Sequence, residues 1–299
     1  MIRVAVIGYG NIGKYAIEAV REASDMEPVG IVRRKNSLIK NPAELSDIPV
    51  VSDISELGKI DVALLCAPTR NIPEIAEQYL SHGIHTVDSF DIHGEALWNL
   101  RCQLDKTAKK NNAVSVISAG WDPGSDSVIR TLMEAMAPKG ITYTNFGPGM
   151  SMGHTVAAKS IKGVCNAISM TIPAGMSVHN RAVYVEIEPD ADFEEIEQAI
   201  KTDAYFIKDN TTVIQVENAD ALIDMGHGVL MERKGVSGAT HNQLFEYRMK
   251  INNPALTAQI MTACGRAATR QRPGAYTMPE IPVIDLLPEE REALIKKLV

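Results

Sequence analysis

Three glycines near the start of the chain, in Gly8-Tyr9-Gly10-Asn11-Ile12-Gly13, stand in the spacing G-x-G-x-x-G. Each has a physical task in binding a pyrophosphate. Gly8 permits a tight turn, Gly10 lets the backbone approach the anion, and Gly13 lets a helix pack closely on a strand. The helix N-terminus then offers unpaired N–H groups to the charge. This is the fingerprint of a dinucleotide site. Arg33 stands twenty residues beyond Gly13, followed by Arg34. A site built for NAD would place an acid there to bond the ribose 2′-hydroxyl. Arginine forks suit a 2′-phosphate instead, so the expected cofactor is NADP. Pro68-Thr69-Arg70 closes a later apolar run, and Arg70 fits a further phosphate contact or a surface turn equally well.

Other residues could hold a small polar substrate. Asp91 and Asp122 follow predicted strand ends, where each fits either a contact to an amine or a helix cap or turn. Phe146, Met152 and His154 lie on a glycine-rich block whose amides over Gly147–Gly153 could bond a carboxylate. Arg181 heads an apolar strand, where it is either a carboxylate fork or an edge-strand charge. His227, in Met225-Gly226-His227-Gly228, is flanked by glycines that allow close backbone approach. Asn253 precedes Pro254 and fits a helix N-cap as well as a site. The four cysteines are scattered with no C-x-x-C pair, so neither a metal site nor a disulfide framework is expected.

Elements must position these groups. Ile2–Ile7 is a buried strand, and Ile12, Ala16, Ile17, Ala19 and Val20 follow with helical period. Strands are expected at Pro28–Val32, Pro49–Ser52, Asp61–Ala67, His85–Ser89 and Ala113–Ser118. Helices fall between them at Ile72–His82 and about Glu95–Lys110, with another at about Ser125–Met136. This alternation predicts an α/β fold, a Rossmann-type doubly wound parallel sheet over residues 1–120. Residues 121–252 change character. Longer β-branched strands at Thr142–Phe146, Ser169–Ile172, Arg181–Glu188, Thr211–Val216, Val229–Arg233 and Gln243–Ile251 alternate with helices at about Thr155–Ala167 and Asp192–Thr202. They predict a second, α+β domain with a largely antiparallel sheet. A helix at Asn253–Arg270, a strand-like Ile281–Leu286 and a closing helix from about Pro288 are expected to return to the first domain.

Bulk properties exclude several roles. A net charge of −7 argues against nucleic-acid and membrane-surface partners. No apolar run reaches the ~20 residues of a membrane helix, and the short N-terminal run ends in glycines, unlike a signal peptide. The expectation is a soluble, reduced, cytoplasmic protein.

The segments GYGNIG, VDSFDIH, SAGWDPG, NFGPGMSMGH, MTIPAG, MGHGV and INNPALTAQ resemble those of the meso-diaminopimelate D-dehydrogenases, in that family's order and over nearly the whole chain. The chain is similar to a shorter subgroup lacking an insertion between the strands around Thr171 and Arg181. The resemblance implies NADP-dependent, reversible oxidative deamination at the D-centre of meso-2,6-diaminopimelate, giving L-2-amino-6-oxopimelate and ammonia. It implies that Asp91 and Asp122 flank the reacting amine with Trp121 walling the pocket, and that Thr171, Arg181, His227 and Asn253 hold the distal amino-acid group. It also implies that the α+β domain serves substrate binding and dimerisation, giving at least a homodimer. For taking the amine proton, Asp122 and His154 both stand as candidates. An oxidoreductase acting on a sugar or semialdehyde would normally carry a lysine at the end of Asp61–Ala67 or of the next strand, and neither Cys66-Ala67-Pro68 nor Val87-Asp88-Ser89 has one. A sensor that only kept the fold would have lost these acids and Arg181.

Overall fold

The structure, a computed structural model, describes residues 1–35, 42–223 and 226–299. Its contacts divide the chain into two units, one of residues 1–131 with 254–299 and one of residues 132–253. In chain order the elements begin β1 (Ile2–Ile7), α1 (Asn11–Glu22), β2 (Met26–Val32), β3 (Val50–Val51), β4 (Val62–Leu65), α2 (Ile72–Ser81) and β5 (His85–Asp88). There follow α3 (Glu95–Lys110), β6 (Val114–Ile117), α4 (Ser125–Met136), β7 (Lys139–Phe146), β8 (Gly149–Met150), α5 (Met152–Lys159), β9 (Val164–Gly175) and β10 (Val178–Ile187). The chain closes with α6 (Phe193–Thr202), β11 (Asn210–Gln215), β12 (Gly226–Ser237), β13 (Thr240–Asn252), α7 (Asn253–Ala268), β14 (Gly274–Thr277) and α8 (Arg291–Leu298).

The first unit holds a seven-stranded sheet, order β14-β6-β5-β4-β1-β2-β3, with every neighbouring pair parallel. The central strand β4 (VALL) is apolar and buried along its whole length because both faces of the sheet are covered. Val4, Val6, Val62 and Leu64 join a core with Ala16, Ile17 and Val20 of α1 and Met261 and Cys264 of α7. The alternate residues Ala5, Ile7, Ala63 and Leu65 join a second core with Leu80 of α2 and Leu100 and Leu104 of α3. The side-chain period of two along each strand divides the cores.

The second unit holds two sheets, of four strands (β11-β10-β9-β8) and of three (β13-β12-β7). All pairs are antiparallel except β10 with β11. Ala157 and Ala158 of α5 and Ile196 and Ile200 of α6 pack on Val183 and Val185 of β10.

Two expected elements differ. The helix expected to reach Ala167 stops at Lys159, and β9 begins at Val164. Gly163 (φ 87°) turns the chain between them, and Ala167 pairs with Val185 across the sheet. In the tail, Val283–Leu286 is a short 3-10 turn capped by Pro282, rather than a strand. The strand of this segment is β14, whose Tyr276 pairs with Val116 at the edge of the large sheet.

Candidate functional site

The nucleotide turn has the geometry its glycines require. Gly8 has φ 101°, and a Cβ there would lie 2.4 Å from the Cys66 carbonyl oxygen. One on Gly13 would lie 2.3 Å from the Gly8 carbonyl oxygen, so α1 can approach β1 only without a side chain there. A Cβ on Gly10, by contrast, would meet nothing within 4 Å. Space stands open in front of the helix start, where no side chain caps α1. An anion can approach the backbone there, at the positive end of a twelve-residue helix. Tyr9, Asn11 and Ile12 fill the positions between the glycines, and the Arg33 guanidinium lies over the Tyr9 ring at 5.7 Å. Arg34 beside it is exposed, as are Pro68 and Arg70.

Thr69, in the loop after β4, holds the first acid. Its hydroxyl donates to Asp91 Oδ1 at 2.7 Å, tying the loop after β4 to the loop after β5. Asp122 lies in the loop after β6, where both carboxylate oxygens accept from the Arg130 guanidinium, at 2.7 and 3.0 Å. This bidentate pair fixes the carboxylate yet leaves lone pairs for a further donor. Trp121 is buried beside it. The loop is tight, since a Cβ on Gly124 would fall 1.8 Å from the Gly120 carbonyl oxygen.

Two further acids of this region were not singled out from sequence. Asp88, at the end of β5, is fully buried, and its Oδ1 accepts the N–H groups of Phe90 and Ser118 at 2.9 and 3.1 Å. It thereby stitches together the loops that carry Asp91 and Asp122. Burial pushes its carboxyl up to about 6, against the two amide bonds that favour the ion. Asp126, in the first turn of α4, is fully buried with neither oxygen hydrogen-bonded by the described residues. Burial first, and then Asp122 nearby, push it up to about 7.

The second unit gathers most of the remaining candidates. β9 and β10 are joined by Met176 and Ser177, both at positive φ (51° and 63°), the two-residue turn that matches strand twist. The register this turn sets places Thr171 directly opposite Arg181, and Arg181 Nη1 donates to Thr171 Oγ1. Arg181 Nε donates to Asp209 Oδ2 at 2.6 Å. His154 Nε2 stands 3.8 Å from that same oxygen, and His154 Nδ1 is 2.8 Å from Ser151 Oγ. Burial, then the Arg181 charge, push His154 down to about 4, so it is neutral at pH 7. Phe146 lies between His179 and His227, with ring centroids 5.4 and 6.5 Å away. Its N–H donates to His179 Nε2 at 2.9 Å.

The glycine-rich block is wedged against these strands. A Cβ on Gly147 (φ 96°) would lie 2.4 Å from the Thr171 carbonyl oxygen, and one on Gly149 2.6 Å from the His227 Cα. His227 is buried and is the second residue of β12, while Met225 of its loop lies outside the described residues. Met152 opens α5 and packs on Met150 and Ile168, and Asn253 opens α7. A cavity of about 590 Å³ in this unit, lined by Asn145, Pro173, His227 and Met249 among others, includes His227 and Gly147 of the candidate residues. Arg181 and Thr171 are not on its wall, so it is not read as the distal amino-acid pocket.

A parallel sheet with a G-x-G-x-x-G turn, joined to a separate α+β unit that presents a fixed arginine, defines a nicotinamide-dependent oxidoreductase. Residues 2–87 match the model of the oxidoreductase family with an NAD-binding Rossmann fold. Residues 120–253 match that of the diaminopimelic acid dehydrogenase C-terminal domain. The chain is 59% identical to the meso-diaminopimelate D-dehydrogenase of Bacteroides fragilis, over 100% of this chain and 99% of that one. It is 34% identical to the enzyme of the same name from Lysinibacillus sphaericus, over 100% and 99%. Among solved structures it resembles the C. glutamicum DAP dehydrogenase in complex with DAP, with a TM-score of 0.90 and 31% identity over 100% and 99% of the chains. An engineered D-amino acid dehydrogenase bound to NADP⁺ aligns with a TM-score of 0.88 and 30% identity over the same shares. The chain belongs to the meso-diaminopimelate D-dehydrogenase family.

Proposed function

We propose that the chain catalyses the reversible oxidative deamination of meso-2,6-diaminopimelate at its D-centre, with NADP⁺ as acceptor, giving L-2-amino-6-oxopimelate and ammonia. The observation that carries this reading is Arg181, fixed by Thr171 and Asp209 in the unit that matches the diaminopimelic acid dehydrogenase domain. It offers a carboxylate fork for the end of the substrate that does not react. His227, Asn253, Phe146 and Met152 complete that end.

At the reacting end, Asp91 and Asp122 accept from the amine, and buried Trp121 keeps water from it. His154 stands with Thr171 and Arg181, so the amine proton is assigned to Asp122. Bound at the glycine turn, the cofactor takes the hydride from the reacting carbon or returns it. Amides at the start of α1 hold its pyrophosphate, Arg33 and Arg34 favour a 2′-phosphate over a bare hydroxyl, and Pro68, Thr69 and Arg70 after β4 supply further cofactor contacts. The exposed Ile141 and Leu244 on the three-stranded sheet support a homo-oligomer, and the free cysteines suit the cytoplasm.

One assay tests these assignments. Purified protein is mixed with NADP⁺ or NAD⁺ and with the meso or LL isomer, and NADPH or NADH absorbance is followed. The LL isomer presents no hydrogen to the nicotinamide without moving its amine or carboxylate off their partners. kcat/KM for the meso isomer should therefore exceed it by roughly 10⁴, and NADP⁺ should be preferred to NAD⁺ by at least about tenfold. Comparable turnover of the LL isomer overturns the substrate assignment, and a preference for NAD⁺ overturns the role given to Arg33 and Arg34.

A further inference from the structure

Arg181 is one half of an ion pair, and the other half has chemistry of its own. Asp209 precedes β11, which runs parallel to β10 with Thr211 opposite Arg181. Its N–H donates to the Phe206 carbonyl, which closes the turn and sets the carboxylate beside the guanidinium. Among the described residues Oδ2 alone is engaged, by Arg181 Nε and by His154 at longer range. Oδ1 accepts no hydrogen bond from the described residues, and 22% of the side chain is exposed. The Arg181 side chain is 12% exposed. With Nε and Nη1 occupied, its Nη2 and the second N–H of Nη1 remain as donors among the described residues.

The distal end of the substrate is an α-amino acid, and at neutral pH that is a zwitterion. A lone arginine would meet the carboxylate and leave the ammonium facing a cation across a short gap. Arg181 with Asp209 is neutral as a pair and has a donor side and an acceptor side. A zwitterion laid across it leaves no buried charge unpaired, either before binding or after. We propose that Asp209 Oδ1 receives the distal ammonium, so that Arg181 and Asp209 together recognise a whole amino-acid end rather than a carboxylate alone. The inference rests on the reading that Arg181 anchors the non-reacting end. The neighbouring imidazoles agree with it. Burial, and then Arg181, push His154 down to about 4 and hold His179 below the usual histidine range, which disfavours a second cation beside the ammonium.

Asp209 could instead serve only to orient Arg181, and a pair of substrates separates the two roles. D-2-aminopimelate has the same seven-carbon chain and the same distal carboxylate but no distal amine. kcat/KM is measured for it and for meso-diaminopimelate, in wild type, Asp209→Asn and Asp209→Glu. Wild type should prefer the meso compound by about 30-fold, the scale of a charge-assisted hydrogen bond. Asp209→Asn should narrow that ratio to within about threefold, the loss on the meso compound falling on KM, while Asp209→Glu retains a preference above about tenfold. An equal loss on both substrates, leaving the ratio unchanged, overturns the proposal and reduces Asp209 to a support for Arg181. If the Asn variant does not fold, wild type and the Glu variant decide, because a wild-type preference below about threefold overturns the proposal on its own. Failure of wild type to turn over meso-diaminopimelate at all overturns the functional reading, and this inference with it.

Discussion

Single side chains in this protein hold charge states that their neighbours impose. Asp126 is the clearest case, a buried carboxyl raised to about 7 from an ordinary 3.8 by burial and by Asp122. Between those values the folded chain keeps a proton that the unfolded chain has released. Its contribution to stability is therefore present below about pH 4 and lost as pH rises through about 7. Asp126→Asn resembles the protonated form and does not titrate. It should be more stable than wild type, with a gain about 3 kcal/mol larger at pH 8 than at pH 5. Urea unfolding at the two pH values measures this, and a gain that is the same at both would mean the carboxyl does not titrate there. The sequence showed Gly8, Gly10, Gly13, Arg181 and the two loop acids, because spacing or a family motif marks them. It did not show Asp88, Asp126 or Asp209. Nothing in the letters around them says that a strand end is fully buried or that β11 runs beside β10. Those facts come from contacts between distant parts of the chain.

At the scale of elements, short turns decide which side chains meet. The two-residue connection at Met176 and Ser177 fixes the register that sets Thr171 opposite Arg181, and the block before α5 is held against the same strands. Gly147→Ala should therefore do more than strain one residue. Its Cβ would sit 2.4 Å from the Thr171 carbonyl oxygen at a φ of 96°. A loss of about 3 kcal/mol in stability is expected, together with a rise in KM for the diaminopimelate as β9 shifts. Guanidinium unfolding and steady-state kinetics check the two effects. Helices α3 and α4 were legible to the residue because long amphipathic period and clear boundaries mark them. β14 was not. Gly-Ala-Tyr-Thr is four residues long, contains a glycine, and becomes a strand only by pairing with β6. The start of β9 differs from the expected helix for a similar reason, since apolar residues continue past Lys159, where α5 ends, and Gly163 turns the chain into the strand.

At the scale of the molecule, one guanidinium joins sequence-distant parts of the first unit. Arg266 of α7 makes a bidentate pair with Asp25, at 2.5 and 2.6 Å, and Nη1 also donates to the Leu286 carbonyl. Arg266 is 5% exposed, and Asp25 is held below the usual carboxylate range, first by its hydrogen bond to Arg266. Removing the cation strands an acid and a carbonyl at once. Arg266→Ala should cost about 3 kcal/mol and lower Tm by several degrees, and differential scanning calorimetry would show it. A Tm within one degree of wild type would mean that the pair carries no stability.

The large sheet is closed at one edge by β14, and α7 covers one of its faces, yet both are made after the whole second unit. The order of synthesis is thus not the order of the fold. While the ribosome is still adding residues 132–253, the first unit must wait with β6 as a bare edge and with Val4, Val6, Val62 and Leu64 lacking Met261 and Cys264 above them. The second unit is continuous in the chain and can fold as soon as it emerges. During that interval the nascent chain presents an unpaired strand and an apolar face of the kind that aggregates or recruits a chaperone. Translation speed through the second unit sets how long that exposure lasts.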